Sequence, residues 1–240
     1  MTAPGVRLTG TARFGAAVLF ADAVLDLVPG GWTCLLGPSG VGKSTALRLI
    51  AGLETGAAFA GTIAASDGRS LAGRVAYMAQ DDLLLPWLDL RGNVGLGARL
   101  RGETPDWPRI DALIGRLGLG PHARKRPQSL SGGQRQRAAL ARTLMEDRDV
   151  VLLDEPFSAL DARTRAEMQE LAAETLAGRT VLIVTHDPAE AARLGDRVQV
   201  MEHAALVEVP PPPGRPIRAV DDPAMLGWAA QLLKRLRADA

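Results

Sequence analysis

The spacing of apolar residues changes several times along this chain, and the changes divide it into segments. Val6–Ala12 alternates weakly between apolar and polar positions, as a strand with one covered face does. Val24–Val28 and Trp32–Leu36 are short apolar runs, the second passing directly into a glycine-rich loop, and Ile63 and Arg74–Ala79 supply further strand candidates. Ala46–Leu53 has a helix-forming composition with Gly52 as its stop. From Pro86 to about Met145 the strand-like runs vanish, Gly and Pro punctuate the chain, and Ile110, Leu113, Ile114 and Leu117 fall at helical spacing, which predicts a helical insertion. Strand character returns at Val150–Leu153, Thr180–Val184 and Val198–Met201, with helices near Ala162–Ala177 and Ala189–Leu194 between them. That alternation predicts an α/β fold with a mostly parallel sheet covered on both faces. Pro210–Pro213, Gly214 and Pro216 predict a stiff extended connector. A last helix, roughly Pro223–Arg237, carries Leu226, Trp228, Leu232, Leu233 and Leu236 at helical spacing. Such a stripe touches a partner or membrane surface, or packs on its own domain, which is the commoner outcome.

Composition narrows the class. A chain of 240 residues with 47% hydrophobic and 23% charged residues buries a core as one large or two small domains. A net charge of +1 makes no electrostatic case for nucleic acid. One cysteine, Cys34, excludes a disulfide framework and reads as a small packing residue in a buried strand. Met1–Val6 lacks a basic region followed by an apolar run, so no export signal is expected, and no stretch approaches the ~20 apolar residues of a membrane span. The expected place is the cytosol, unless a partner holds the chain at a membrane.

Two short stretches carry the chemistry. Gly37-Pro38-Ser39-Gly40-Val41-Gly42-Lys43-Ser44 fits G-x-x-x-x-G-K-[ST], follows a predicted strand and precedes a predicted helix. Its backbone N–H groups can wrap a phosphate, Lys43 can reach the β/γ oxygens, and Ser44 can offer a hydroxyl to Mg²⁺. Lysine occurs only at 43, 125 and 234 among 28 basic residues, so its presence at 43 is notable. A compact ammonium fits a phosphate nest in which a guanidinium fork is too wide. Leu130-Ser131-Gly132-Gly133-Gln134 reads as a helix start, with Ser131 as N-cap and Gln134 completing a capping box. Glycines at 132 and 133 leave the free N–H groups open to an anion. A chain with two phosphate-seeking helix ends either pinches one nucleotide between them or shares nucleotides with a second copy.

Other positions take roles from their place on the strands. Val150–Leu153 ends in Asp154 and Glu155, which must emerge at the sheet's carboxyl edge because a buried run cannot hold unpaired charge. Asp154 would hold the Mg²⁺, and Glu155 would polarise the water that attacks the γ-phosphorus. Gln80, at the end of Arg74–Ala79, is a candidate link between that site and whatever the insertion touches. His186, after Thr180–Val184, can bond the γ-phosphate and position the water. Ser158–Asp161 is a tight turn and N-cap, and Phe14 by spacing alone reads as core.

Together these pieces resemble the ATP-binding cassette ATPases from about Val6 to Val209, all six motifs lying in the family's order and spacing. Gly37–Thr45 looks like the Walker A loop, Gln80 the Q-loop residue, Leu130–Gln134 the signature, and Val150–Glu155 the Walker B strand with its catalytic acid. Ser158–Asp161 looks like the D-loop, with Asp161 in dimer communication, and His186 like the switch histidine. The resemblance implies a P-loop core with mostly parallel sheet, antiparallel β edge and inserted helical subdomain (about 82–146) within 1–209, followed by a connector and helix at 210–240. It implies that Thr45 joins the ATP contacts, that Gln80 reaches the metal beside Ser44 and Asp154, and that Phe14 stacks on adenine. It implies also that the two helix ends close on ATP only between chains, giving a head-to-tail homodimer with Ser131, Gly132, Gly133 and Gln134 acting in trans. An integral membrane permease, with a solute-binding protein behind it, would be the partner, and the cytoplasmic face of the membrane the place. Leu83–Asn93 and Asp154–Arg165 look most like importer ATPases of the nitrate, sulfonate, taurine and hydroxymethylpyrimidine group. No regulatory β domain of the sugar-importer kind follows, so no built-in inducer control is expected. A soluble cassette that remodels a macromolecular complex is the alternative, and a P-loop kinase has no place for Leu130–Gln134.

Overall fold

The computed structural model describes residues 3–238. Met1 and Thr2, part of the stretch read for an export signal, and Asp239 and Ala240, at the end of the expected C-terminal segment, lie outside them. The elements in chain order are β1 (Val6–Phe14), β2 (Ala17–Leu27), β3 (Trp32–Leu36), α1 (Lys43–Ile50), β4 (Ala58–Ala65), β5 (Val75–Met78), α2 (Leu90–Val94), α3 (Leu96–Leu100), α4 (Trp107–Arg116), α5 (Gly132–Leu144), β6 (Val150–Asp154), α6 (Ala162–Thr175), β7 (Thr180–Val184), α7 (Pro188–Leu194), β8 (Arg197–Glu202), β9 (Ala205–Val209) and α8 (Pro223–Ala238). They form two units. One comprises 1–75, 148–155 and 177–240; the other comprises 76–147 and 156–176.

In the first unit, β2, β1 and β4 make an antiparallel sheet, with Val6 opposite Leu27 on one side and Ala65 on the other. Val6, Leu8 and Ala12 are buried with Phe20, Leu25 and Leu27. The alternation along β1 is weak because Gly10 takes an inward position without a side chain. Its φ is +145°, and a Cβ there would stand 2.4 Å from the Ala60 carbonyl oxygen. The second sheet runs β6-β7-β3-β8-β9, parallel from β6 to β8, with β9 antiparallel at the edge. Strands β3, β6 and β7 are buried throughout, as continuous apolar runs in a covered parallel sheet must be. Cys34 is fully buried at the centre, opposite Ile183 and Val198.

The C-terminal helix packs on its own unit. Met225 and Leu232 are buried, α8 lies against α7, and Leu226 and Leu233 face outward. The proline-rich connector is held by Arg218, which is 5% exposed. Its guanidinium donates to the carbonyls of Ala192 (2.7 Å), Gly195 (3.0 Å), Pro212 (2.8 Å), Pro213 (3.1 Å) and Gly214 (2.8 Å).

The second unit is helical. Ile110, Leu113, Ile114 and Leu117 are all buried, as their spacing requires, with Leu90, Val94, Leu140 and Leu144. Helix α6, from the 156–176 segment, joins this unit. Buried Asn93 secures the bend before α2, accepting from Leu85 N (2.7 Å) and donating to the carbonyls of Leu85 (3.2 Å) and Asp89 (3.0 Å).

Candidate nucleotide site

In the first unit β3 delivers the chain into Gly37–Gly42, and α1 begins at Lys43, three residues earlier than composition suggested. Gly42, at φ +108°, occupies the N-cap; it has no side chain to cap with, and the first turn carries no acid. The helix's leading N–H groups are therefore open to an anion, and the macrodipole favours one. Gly37, at φ +150°, could not carry a Cβ, which would stand 2.4 Å from the Met201 carbonyl oxygen. Lys43 is 6% exposed and its Nζ donates to Gly37 O (2.8 Å) and Pro38 O (2.7 Å), which holds the ammonium inside the loop. Burial lowers its pKa, and the carboxylates of Glu155 and Asp154 oppose that shift.

Asp154 closes β6 and is 2% exposed. Burial raises its pKa, opposed by a hydrogen bond from Ser44 and by Lys43, while Glu155 adds to the rise. Its Oδ1 is buried with no hydrogen-bond partner among the described residues. A buried carboxylate oxygen without a partner, bonded on its other side to a hydroxyl, suits a hard cation. Mg²⁺ takes one or two protein oxygens and completes its shell with phosphate and water. The donor set fits.

Glu155 follows at φ +48°, its N–H donating to Val184 O (2.9 Å). This left-handed turn swings the side chain out of the strand's alternation, and Oε2 lies 3.1 Å from His186 Nδ1. Thr185 is buried, its N–H donating to Leu35 O (3.1 Å). Its hydroxyl donates to Glu190 Oε2 (2.7 Å) and accepts from Asp187 N (3.0 Å), which fixes the bend that carries His186. Sequence reading missed Thr185 and Glu190; the signal was an acidic residue in the first turn of the helix that starts beside His186. Phe14 corrects an expectation. It is 61% exposed, not core, because it ends β1 at the turn opposite Ala17, beyond the covered part of the sheet.

In the second unit Ser131 and Gln134 form both halves of a capping box. Ser131 Oγ accepts from Gln134 N (3.3 Å), and Gln134 Oε1 accepts from Ser131 N (2.9 Å). Ser131 and Gly132 are exposed. A Cβ on Gly133 would stand 3.2 Å from Ala159 O, so glycine lets the 158–161 turn lie close. Gln136, 5% exposed and missed from sequence, joins helix to turn: its Nε2 donates to Ser158 Oγ (3.1 Å) and its Oε1 accepts from Ala159 N (2.9 Å). Its signal was a polar residue on the buried side of α5, which Thr143 shares. Asp161 caps α6 by accepting from Thr164 N (3.0 Å), which holds its pKa low. Gln80 is exposed in the bend after β5, and the next turn is tied to α5 by Arg135 Nε donating to Asp82 Oδ2 (2.9 Å). The first unit thus gathers Lys43, Ser44, Asp154, Glu155 and His186, and the second gathers Ser131–Gln134 and Ser158–Asp161.

The sequence model of the ABC transporter family matches residues 20–158, more than half of the chain. The chain belongs to the ABC transporter family. It is 43% identical over 230 residues to an ABC transporter ATP-binding protein of Haemophilus influenzae, covering 93% of this chain and 94% of that protein. An aliphatic sulfonates import ATP-binding protein of Rhodococcus jostii is 43% identical over 236 residues, 97% of this chain and 93% of that protein. An Fe(3+) ions import ATP-binding protein of the same organism is 43% identical over 208 residues, 83% of this chain and 60% of that protein. This cassette is accordingly a transport-coupled ATPase, and the expected α/β fold with parallel sheet and antiparallel strands is the one observed. Among the described residues no helix is long and apolar enough to cross a membrane.

Proposed function

We propose that this chain is the ATP-hydrolysing subunit of a binding-protein-dependent importer, working as a homodimer that shares two ATP molecules. The observation that carries this reading is the cluster at the carboxyl ends of β3, β6 and β7, where a bare helix start, a buried ammonium and a two-residue acidic pair converge. The Gly37–Gly42 backbone and the first turn of α1 through Thr45 hold the phosphates, and Lys43 matches their charge. Ser44 and Asp154, with Gln80 as a further ligand, would hold Mg²⁺, which when bound neutralises charge on the phosphates. Glu155 takes the proton of the attacking water, and His186, hydrogen-bonded to it, orients that carboxylate and meets the γ-phosphate. Phe14, exposed at its turn, offers a ring face to the adenine.

Ser131 and the open N–H groups at Gly132 and Gly133 complete the site on the other copy's ATP, and Asp161 carries the state of one site toward its neighbour. The dimer attaches to the cytoplasmic face of the membrane through an integral permease supplied by a solute-binding protein, and does not bind nucleic acid. Relatives named for sulfonate and for ferric ion import stand at the same 43% identity, which supports a motor that never touches the cargo. The test is Glu155→Gln. It keeps shape and hydrogen bonding but removes the base, so turnover should fall by ~10²-fold or more while ATP still binds. The variant should also remain dimeric in ATP on a sizing column; near-normal turnover would assign the base elsewhere.

A further inference from the structure

The phosphate loop has a neighbour that its motif does not include. Met201, fully buried near the end of β8, lies beside both ends of the loop, where the glycines leave room for it. Its carbonyl oxygen lies 2.4 Å from the Cβ position of Gly37, and its Sδ lies 3.7 Å from that of Gly42. The next residue, Glu202, is the last of β8, and its side chain is 14% exposed. One carboxylate oxygen accepts from Arg235 Nη2 of α8, and the other, Oε2, is buried without a hydrogen-bond partner among the described residues. The C-terminal helix therefore reaches the strand end that backs the nucleotide loop through the Arg235–Glu202 ion pair. It is held in place for that reach. Trp228 Nε1 donates to Pro210 O (2.8 Å), Met225 and Leu232 are buried, and Arg218 staples the connector.

We propose that Arg235 is a positioning residue for ATP binding, acting through Glu202 and Met201 on Gly37 and Gly42. The inference rests on Gly37–Ser44 being the nucleotide loop. Without the guanidinium, Glu202 keeps a mostly buried charge with no partner, and removing one member of such a pair is costly because the other is left uncompensated. Glu202 relieves that by moving toward water, and the adjacent Met201 moves with it. The Met201 carbonyl stands where a Gly37 side chain would be, so the loop lies close against β8, and in a close-packed interior a shift of Met201 is passed to Gly37.

The experiment measures ATP binding with magnesium chloride by titration calorimetry, together with kcat and melting temperature, on the full chain. Arg235→Met should weaken ATP binding about fivefold or more, in the range of ordinary coupling between sites, with kcat at saturating ATP unchanged. Arg235→Lys should restore most of the affinity. The double variant Glu202→Gln with Arg235→Met should bind better than Arg235→Met alone, because no unpaired charge remains. Leu233→Ser, on the outward face of α8, should leave all three readouts unchanged. A lowered melting temperature with wild-type affinity in Arg235→Met makes the contact merely structural and overturns the proposal, as does a double variant that binds no better than the single. Should Arg235→Met precipitate, Arg235→Gln replaces it under the same readouts: a raised dissociation constant supports the proposal and an unchanged one overturns it. If the wild type binds ATP no better than Lys43→Ala, the nucleotide reading itself falls and this inference with it.

Discussion

A carboxylate placed at Gly132 tests whether the nucleotide is shared between chains. Gly132 is the better position because a Cβ there meets nothing nearer than Arg135 Nη2 at 4.0 Å, whereas one on Gly133 would push on Ala159 O at 3.2 Å and disturb the turn to Asp161. An acid in the first turn of α5 suits its dipole, so the monomer keeps its fold. Against a γ-phosphate ~4 Å away at an effective dielectric near 20, each unit charge pair costs roughly 4 kcal/mol. Arg135 screens part of this, although its Nε and Nη1 are committed to Asp82 and Leu130 O. Half the cost, about 2 kcal/mol, still lowers ATP-driven pairing roughly thirtyfold. Gly132→Asp should bind ATP on its own loop yet hydrolyse almost none, and Lys43→Ala should be equally inactive. Mixed in equal amounts, half the dimers carry one of each, and in those the intact loop of one faces the intact helix end of the other. Steady-state phosphate release should then recover to about a quarter of the wild-type rate, one working site in two for half the dimers. A mixture that shows only the sum of the separate residual activities would refute sharing, and with it the head-to-tail mechanism.

Lys43→Arg should lose nucleotide affinity almost as fully as Lys43→Ala, because the two carbonyls that bracket Nζ at 2.8 and 2.7 Å leave no width for a planar fork; calorimetric titration reads this directly. Gly37→Ala should lower the melting temperature and abolish ATP binding, since its Cβ would overlap Met201 O at 2.4 Å. Asp154→Asn should abolish turnover yet raise the melting temperature of the nucleotide-free protein at pH 7, by an amount equivalent to ~1 kcal/mol or more of relieved burial. The sign follows from its raised pKa, caused first by burial: the native state holds this proton more tightly than the unfolded chain. Asp154 therefore lowers stability as pH rises through the ordinary carboxylate range to the native pKa, and the gap between variant and wild type should close as pH falls back through that window. A gap independent of pH would show that the gain does not come from relieving a buried charge, and no gap at all that the charge is already compensated.

Much of the site was legible because its requirements are local. The glycine loop needs φ values that only glycine holds easily, and a capping box needs two side chains three residues apart, so both show as strings. Asp154 and Glu155 could be placed at the strand's end because the four apolar residues before them cannot pair a charge, although Asp154 itself stays buried there. Phe14, Thr185, Gln136 and Glu202 were misread or unseen for one shared reason. Their meaning lies in partners distant in sequence: Ala17 across a turn for Phe14, Leu35 for Thr185, Ser158 and Ala159 for Gln136, and Arg235 for Glu202.

The sequence by itself indicated most of the strands and helices in their order, though not β9, α2 or α3, together with a helical stretch between β5 and β6 and a glycine loop suited to phosphate, since periodicity and backbone conformation act over a few residues. Only the tertiary structure decided that α6 joins the helical unit and that β8 backs the loop. It also decided that Glu155 takes a left-handed turn to meet His186. Each of those is settled by packing and hydrogen bonding between elements brought together from far along the chain, where burial makes an unpaired group costly and so selects one arrangement.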